Sequence, residues 1–293
     1  MKTLFHRYAP LSGLLHFLCA CLLAVVSLSG AMAQAAPVIS AAEKPVRLIR
    51  GLTLHRAGNG VELAKGDILE TGAMSLQIEQ AAKLIIAVAP NTKLYIANTS
   101  PLQISVLEGW VKLRSMGDEV QIASTLLQTN LKQHSVVLHA EADRSELFAE
   151  EGQLIVSALD AGKSNGNDVK VAQEQLVQRF FGQRLKDLPR PSKDFIAAMP
   201  KTFRDTLASS LKPGSKTAAP QAETAVQYAD VSHWLNASLP AKKDWVKRFK
   251  PQLKDPAFRK ALDAELGQSA EWKAILHPVV KKPADAVSGS TLY

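Results

Sequence analysis

Cysteine is nearly absent from this 293-residue chain, and its two copies, Cys19 and Cys21, both fall within the first 33 residues. The rest of the chain therefore has no disulfide framework, no thiolate nucleophile, and no cysteine ligand for zinc or an iron–sulfur cluster. Aromatic residues are scarce at 6%. Between Val46 and Leu159 they reduce to Tyr95, Trp110 and Phe148, so a core in that stretch must be aliphatic. Also missing are a Gly-x-Ser-x-Gly nucleophile elbow and a phosphate-cradling glycine loop. No catalytic, metal or cofactor residue is assigned, and the expected protein binds without catalysing.

What is present begins with a leader. Lys2 and Arg7 precede the apolar run "LSGLLHFLCACLLAVVSLSG", and "AMAQA" follows with small residues at cleavage spacing. Residues 1–33 are expected to be a signal peptide cut between Ala33 and Gln34, while Ala33-Gln34-Ala35 leaves open a site two residues later. The apolar run is long enough to cross a bilayer, but it ends in Ser, Gly and Ala without a basic stop-transfer flank. The mature form is thus expected not to span a membrane, and periplasmic export from a Gram-negative bacterium is the anticipated location. The formal net charge of +8 falls to +6 once Lys2 and Arg7 are removed. Behind an export signal, a bias of that size points to anionic envelope components rather than to nucleic acid.

From Val46 to Leu159 the hydrophobic period is two. Leu102, Ile104 and Val106 share one face, as do Val120 with Ile122, and Val136 with Leu138 and Ala140. Turn signals interrupt the pattern at short intervals, among them Gly66-Asp67, Gly72, Gly109 and Gly152. In "LAKGDILETG" (63–72), Gly66 offers a positive φ and Asp67 can close the turn through its own backbone. Asp67 and Glu70 lie three apart, which in a strand sends them to opposite faces and argues against an acid–base pair. Many short strands without an intervening helical pattern indicate an all-β sandwich, barrel or coiled solenoid.

The glycine-rich "DAGKSNGND" (160–168) is expected to be a hinge. "VAQEQLVQRFFGQRL" after it has helical spacing, so 160–211 reads as linker and connecting helical segment. "KPGSKTAAPQAE" (212–223) is expected to be a flexible linker. Residues 224–278 form a small helical domain with Trp234, Trp245, Phe249, Phe258, Leu262 and Trp272 as its core, and Asp230, Asp255 and Ser269 as candidate helix N-caps. Residues 279–293 are expected to be a disordered tail. The overall class is multi-domain α+β, an all-β part followed by a smaller all-α region.

Within "AKKDWVKRFKPQLK", Lys243, Lys247 and Lys250 fall at i, i+4 and i+7, flanked by Lys242 and Arg248. Such a stripe is a candidate surface for a cell-wall polymer, peptidoglycan or another anionic glycan; an ordinary solvated helix face shows the same pattern. His134 and His139 are five apart in strand-like sequence and face opposite ways, against a shared metal. Asp230 and His233 share a helix face, which an N-cap beside a surface histidine explains.

The run "GVELAKGDILETGAMSLQIEQAAKLIIAVAPNTKLYIA", then "VLEGWVKL", "VQIASTLLQT" and "ELFAEEGQLIV", resembles the FecR domain family over roughly 46–156. The family pattern is departed from at Ala81-Ala82-Lys83, where Asp-Gly-Ser is usual, and near His134-Ser135, where Gly-Thr is usual. The resemblance implies a solenoid-like, all-β envelope domain that receives partner proteins, known for relaying a signal from an outer-membrane receptor to a sigma factor. That relay uses a cytoplasmic anti-sigma segment and a membrane span ahead of the domain, neither of which is expected before Ala36. The reading carried forward is a periplasmic module that recruits an envelope protein partner through strand edges or exposed turns.

Overall fold

The computed structural model describes residues 35–278, apart from 82, 213, 215 and 241 and the side chains of Lys242 and Lys243. The cleavage residues Ala33 and Gln34, the tail 279–293 and the side chain of Lys243 lie outside the described residues.

Two sheets stack face to face. Sheet A runs in the order β1 (Val38–Ala42), β5 (Leu76–Gln80), β6 (Leu84–Val88), the second half of β8 (Leu102–Ser115), β11 (His134–Ala140), β12 (Arg144–Glu151), β15 (Leu176–Phe180) and β16 (Lys186–Leu188), all antiparallel. Sheet B runs β17 (Gln221–Ala225), β3 (Thr53–Ala57), β2 (Val46–Arg50), β4 (Ile68–Glu70), β7 (Lys93–Thr99), the first half of β8, β9 (Val120–Ala123), β10 (Leu127–Leu131), β13 (Leu154–Asp160) and β14 (Lys163–Val171). Within it β8 and β9 pair in parallel.

Strand β8 therefore belongs to both sheets. It changes sheet at Gly109, whose φ is +101° and where an added Cβ would lie 2.6 Å from the Cα of Thr92, so no residue with a side chain fits this crossing. Period-two alternation fills the space between the sheets. Ile78, Ile86, Leu113 and Leu138 from sheet A meet Leu48, Leu94, Ile104 and Ile122 from sheet B in one aliphatic core. Of the three architectures that the sequence left open, this is the sandwich.

Each sheet is also covered on its outer face. Over sheet A lies a strap made of α1 (Lys193–Ala198), a 3₁₀ turn (Lys201–Phe203) and an extended stretch to Ser210. Ser192 caps α1 by accepting from Phe195 N–H, and Phe195, Met199 and Phe203 pack on Val137 and Leu176. Over part of sheet B lie α2 (Tyr228–Asn236), α3 (Lys242–Phe249), a 3₁₀ turn (Lys250–Lys254), α4 (Pro256–Leu266) and α5 (Ala270–Leu276). Trp234, Trp245, Phe249, Phe258, Leu262 and Trp272 are buried there with Ile49, Ile68 and Tyr95 of the sheet. Asp255 and Ser269 cap α4 and α5. Gln227 takes the N-cap of α2, and Asp230 one turn in accepts its backbone N–H at 2.7 Å.

Several boundaries differ from the sequence reading. The strands begin at Val38 and follow one another to Leu188, and β17 (Gln221–Ala225) joins sheet B after the strap. "DAGKSNGND" is no hinge: Ala161 and Gly162, with φ of +48° and +76°, form the two-residue turn of the β13–β14 hairpin, and Asn165–Asn167 bulge from β14 as its register shifts. "VAQEQLVQRFFGQRL" contributes the end of β14 and β15. Val177 faces the inter-sheet core while Leu176 faces the strap, and a strand buried on both faces lacks the alternation that would distinguish it from a helix. The 212–223 segment is tied to sheet B, because Ala218 N–H donates to Gly60 O at 2.8 Å and β17 pairs with β3.

Candidate binding cleft at the turn end of the sandwich

The stretch "LAKGDILETG" (63–72) serves as a platform for the helical cover. Gly66 has φ +91°, and its carbonyl accepts from Arg248 Nη1 of α3, whose other guanidinium nitrogens donate to Gly51 O and Ile49 O. Asp67, 1% exposed, accepts from Ala64 N–H at 2.8 Å and from Arg50 at 2.9 and 2.6 Å. Glu70 accepts from His233 Nε2 at 2.8 Å and Trp234 Nε1 at 3.1 Å, both on α2, and from Arg47 at 3.0 Å. Burial alone pushes the Glu70 carboxyl up; the hydrogen bonds from His233 and Trp234 and the charge of Arg47 outweigh it and hold the carboxyl below the usual range. Burial likewise pulls the Arg248 guanidinium below its ordinary value.

The remaining turn residues are structural in setting. Gly72 and Gly152 have φ of +56° and +86°, and a Cβ on Gly152 would lie 3.2 Å from Gln133 O. Lys247 and Lys250 are exposed. The helix ends at Phe249, however, so Lys250 stands on the 3₁₀ turn and does not extend an α-helical stripe, while Arg248 is turned inward onto the sheet. His139 stacks on Trp110 at 4.0 Å and reaches Glu146 at 3.2 Å; His134 Nε2 bonds Gln153 O. The two histidines do not meet, and no group of three or more His, Cys, Asp or Glu residues among those described could hold a metal.

The concave feature that the structure builds lies elsewhere, where turns converge at one end of the sandwich. The bend of β8 (Leu107, Glu108), the β9–β10 turn (Thr125, Leu126), the β11–β12 turn (Glu141, Ala142), the β13–β14 turn (Asp160, Ala161), the β15–β16 turn (Phe181, Gly182) and the end of α2 (His233, Asn236) enclose a cleft of about 830 Å³. Its wall is chiefly apolar. Phe181 is 77% exposed there, which for a side chain of this size is unfavourable by about 2 kcal/mol relative to burial.

Arg179 makes the floor rigid. It is 3% exposed and donates to Leu126 O, Leu159 O and Gln183 O at 2.8, 2.6 and 2.8 Å, and to Asp160 at 2.5 Å. One guanidinium fork thus fixes three turns from distant parts of the chain. Hydrogen bonds from Asn165 and Arg179 hold the Asp160 carboxyl below its usual range. Beside it the buried Thr125 Oγ1 makes no hydrogen bond, an unmet capacity at the cleft wall. The rim is polar, with Lys93 paired to Glu108 at 2.9 Å and Glu141 paired to Arg144 at 3.0 Å. An apolar cleft with a polar rim on a fixed scaffold suits binding. The ring of His233, its one ionisable imidazole, is committed to Glu70.

Among the described residues, none of the turn residues Gly66, Asp67, Gly72, Gly109 and Gly152, nor Lys247 or Lys250, lines this cleft; of the Asp230–His233 pair, His233 does. A local cue existed in Phe180-Phe181-Gly182, two large apolar side chains before a turn glycine in an aromatic-poor region, but helical periodicity absorbed it.

Comparison with protein-family models and with curated proteins gives no match. Among solved structures, the fold is similar to two crystal structures of a candidate anti-sigma factor from Parabacteroides distasonis. One has 8% identity and a TM-score of 0.37, covering 44% of this chain and 63% of that one; the other has 11% identity and a TM-score of 0.35, covering 44% and 61%. The match thus spans less than two thirds of those chains, and a likeness this slight carries nothing over to the present site. No described helix is long and apolar enough to cross a membrane.

Proposed function

We propose that the protein is an exported, non-catalytic envelope module that holds an apolar segment of a partner protein in the turn-end cleft. The observation that supports this reading is Phe181, a large apolar side chain 77% exposed on the wall of an otherwise apolar cleft, the arrangement that protein interfaces use as an anchor. Of the two routes anticipated from sequence, turns suit the task better than strand edges. The free edge of β14 is broken by its Asn165–Asn167 bulge and carries Lys163, Asp168 and Lys170, devices that blunt edge pairing. The leader and the net positive charge of the mature chain support a periplasmic location.

The test is site-specific photo-crosslinking in intact cells, with the crosslinker at position 181 and a control at the exposed Met116. The expected result is a discrete adduct formed from position 181, and one formed from a crosslinker at Ala142 on the same cleft that is lost when Phe181 is changed to Asp. Identical adducts from positions 181 and 116, or recovery of the protein in the cytosol with its leader uncut, would overturn the reading. The basic face of α3 supports no competing cell-wall reading, since Arg248 is used to dock the helix and Lys250 lies beyond its end.

A further inference from the structure

The helical cover leaves part of the outer face of sheet B bare. Across that face stands a row of carboxamides in register on four neighbouring strands. Asn98 on β7 is opposite Gln103 on β8, Gln103 is opposite Gln121 on β9, and Gln121 is opposite Asn130 on β10. Beyond them β13 and β14 present Ile155, 61% exposed, opposite Lys170. Three shallow depressions of about 340, 440 and 550 Å³ run along this row; the first two share Gln103 and Gln121, the last two Asn130 and His134.

The amides keep capacity for an outside partner. Gln121 Nε2 donates to Asn130 Oδ1 at 3.2 Å, which leaves the Gln121 carbonyl to accept and the Asn130 amide to donate. Asn98 donates to Ser100 O and Pro101 O, leaving its own oxygen free. Gln103 makes no side-chain hydrogen bond among the described residues. Strand spacing of about 4.8 Å is close to the length of one pyranose ring, so successive amides meet successive sugars of a chain lying across the strands.

We infer that this face binds a linear N-acetylated polysaccharide. Sugar hydroxyls and acetamido groups both donate and accept, as the carboxamide row does, and Ile155 offers an apolar spot for acetamido methyls. The one cation in the middle of the row, Lys132, is paired with Glu119 at 3.7 Å, so the row offers no net positive charge to a polyanion such as nucleic acid. It has no aromatic, methionine or arginine anchor either, against a protein interface. Charges at its ends balance, with Lys65 and Asp244 at one and Lys170 and Asp168 at the other.

The inference is independent of the cleft, and its test is retention of the purified protein on chitin, with cellulose as the matrix that lacks acetamido groups. Expected are saturable binding to chitin at least about tenfold tighter than to cellulose, retention unchanged between about 0.05 and 0.5 M salt, and competition by soluble chitin oligomers. The exposed-face variant Q103A/Q121A/N130A, and separately I155S, should each fold with unchanged circular dichroism and lose binding, the triple variant by at least about tenfold. F181D should bind chitin as the parent does. Absence of saturable binding, elution by salt, unchanged binding by the folded triple variant, or self-association through this face in place of chitin binding would overturn it.

Discussion

The two outer faces of the sandwich are covered by different physical means. The helical layer over sheet B brings aromatic area: Trp245 lies 4.6 Å from the ring of Tyr95, and Trp234 and Phe249 close around it. The strap over sheet A has one short helix whose Phe195 and Met199, with Phe203 after it, pack on the sheet, and buried ions hold the extended stretch that follows. Lys112, fully buried, donates from Nζ to Glu150 at 2.7 Å and to Phe203 O and Asp205 O at 2.8 Å. Glu79, also fully buried, accepts from Ser209 Oγ at 2.5 Å and Ser210 N–H at 2.7 Å. Apolar area attaches a helix without fixing each contact, whereas a buried ion is tolerated only when particular partners are in place. An irregular segment thus gains a defined path that its composition would not give it.

The comparison can be broken or sharpened by substitution. The largest effect is expected from W245A, which should lower unfolding free energy by about 3–5 kcal/mol in denaturant titration and expose the C-terminal helices to protease while the strap stays protected. Equal cleavage of both covers would show that they are not held separately. Next is K112A, expected to cost about 3 kcal/mol because it leaves two carbonyls unpaired and Glu150 without its cation, though still bonded to Ser135 Oγ, with new cleavage confined to 199–210. K112M should lose nearly as much, separating lost hydrogen bonds from lost bulk.

Smaller is E79Q, at about 1.5–3 kcal/mol near neutral pH. Burial pushes the Glu79 carboxyl up, but hydrogen bonds from Ser209, Ser40, Ser210 N–H and Gln77 hold it below the usual range. A carboxyl lowered in the folded state contributes fully above its unfolded value, about 4.3, and the contribution fades as pH falls through the lower folded value. Parent stability should therefore fall on acidification below about pH 4.3, and E79Q should flatten that slope when melting is followed against pH. Glu70, also held below the usual range, should produce the same acid-side loss at the helical layer, and E70Q should flatten it while α2 stays docked through Val231, Trp234 and Leu235. Smallest is A161G: Ala161 holds a φ of +48°, and relieving it should raise stability by about 0.5–1 kcal/mol.

Legibility in the sequence followed from how many faces of an element are buried. Leu102, Ile104 and Val106 alternate because their neighbours Gln103 and Ser105 face away from the inter-sheet core, so period two was visible. The aromatics of α2 to α5 kept helical spacing for the equivalent reason. Strand β15 was misread because both its faces are apolar, and β14 because its bulge and Gly166 look like a linker. The cleft was invisible to local spacing, since its residues run from Lys93 to Ser238 and converge only where the bend of β8 meets four inter-strand turns and the end of α2. The amide row, spread over residues 98 to 130, needs the parallel β8–β9 pairing before it becomes a row.

Strand β8 gives this architecture a mechanical property. Its fourteen residues are one uninterrupted backbone running through both layers, and Trp110 N–H on the far side of the crossing donates to the Thr92 hydroxyl at 3.1 Å. Tension applied to the bare amide face therefore travels along covalent bonds into the strap-covered sheet, without relying on side chains to grip one another. Neither layer can be peeled away whole while that ribbon remains intact.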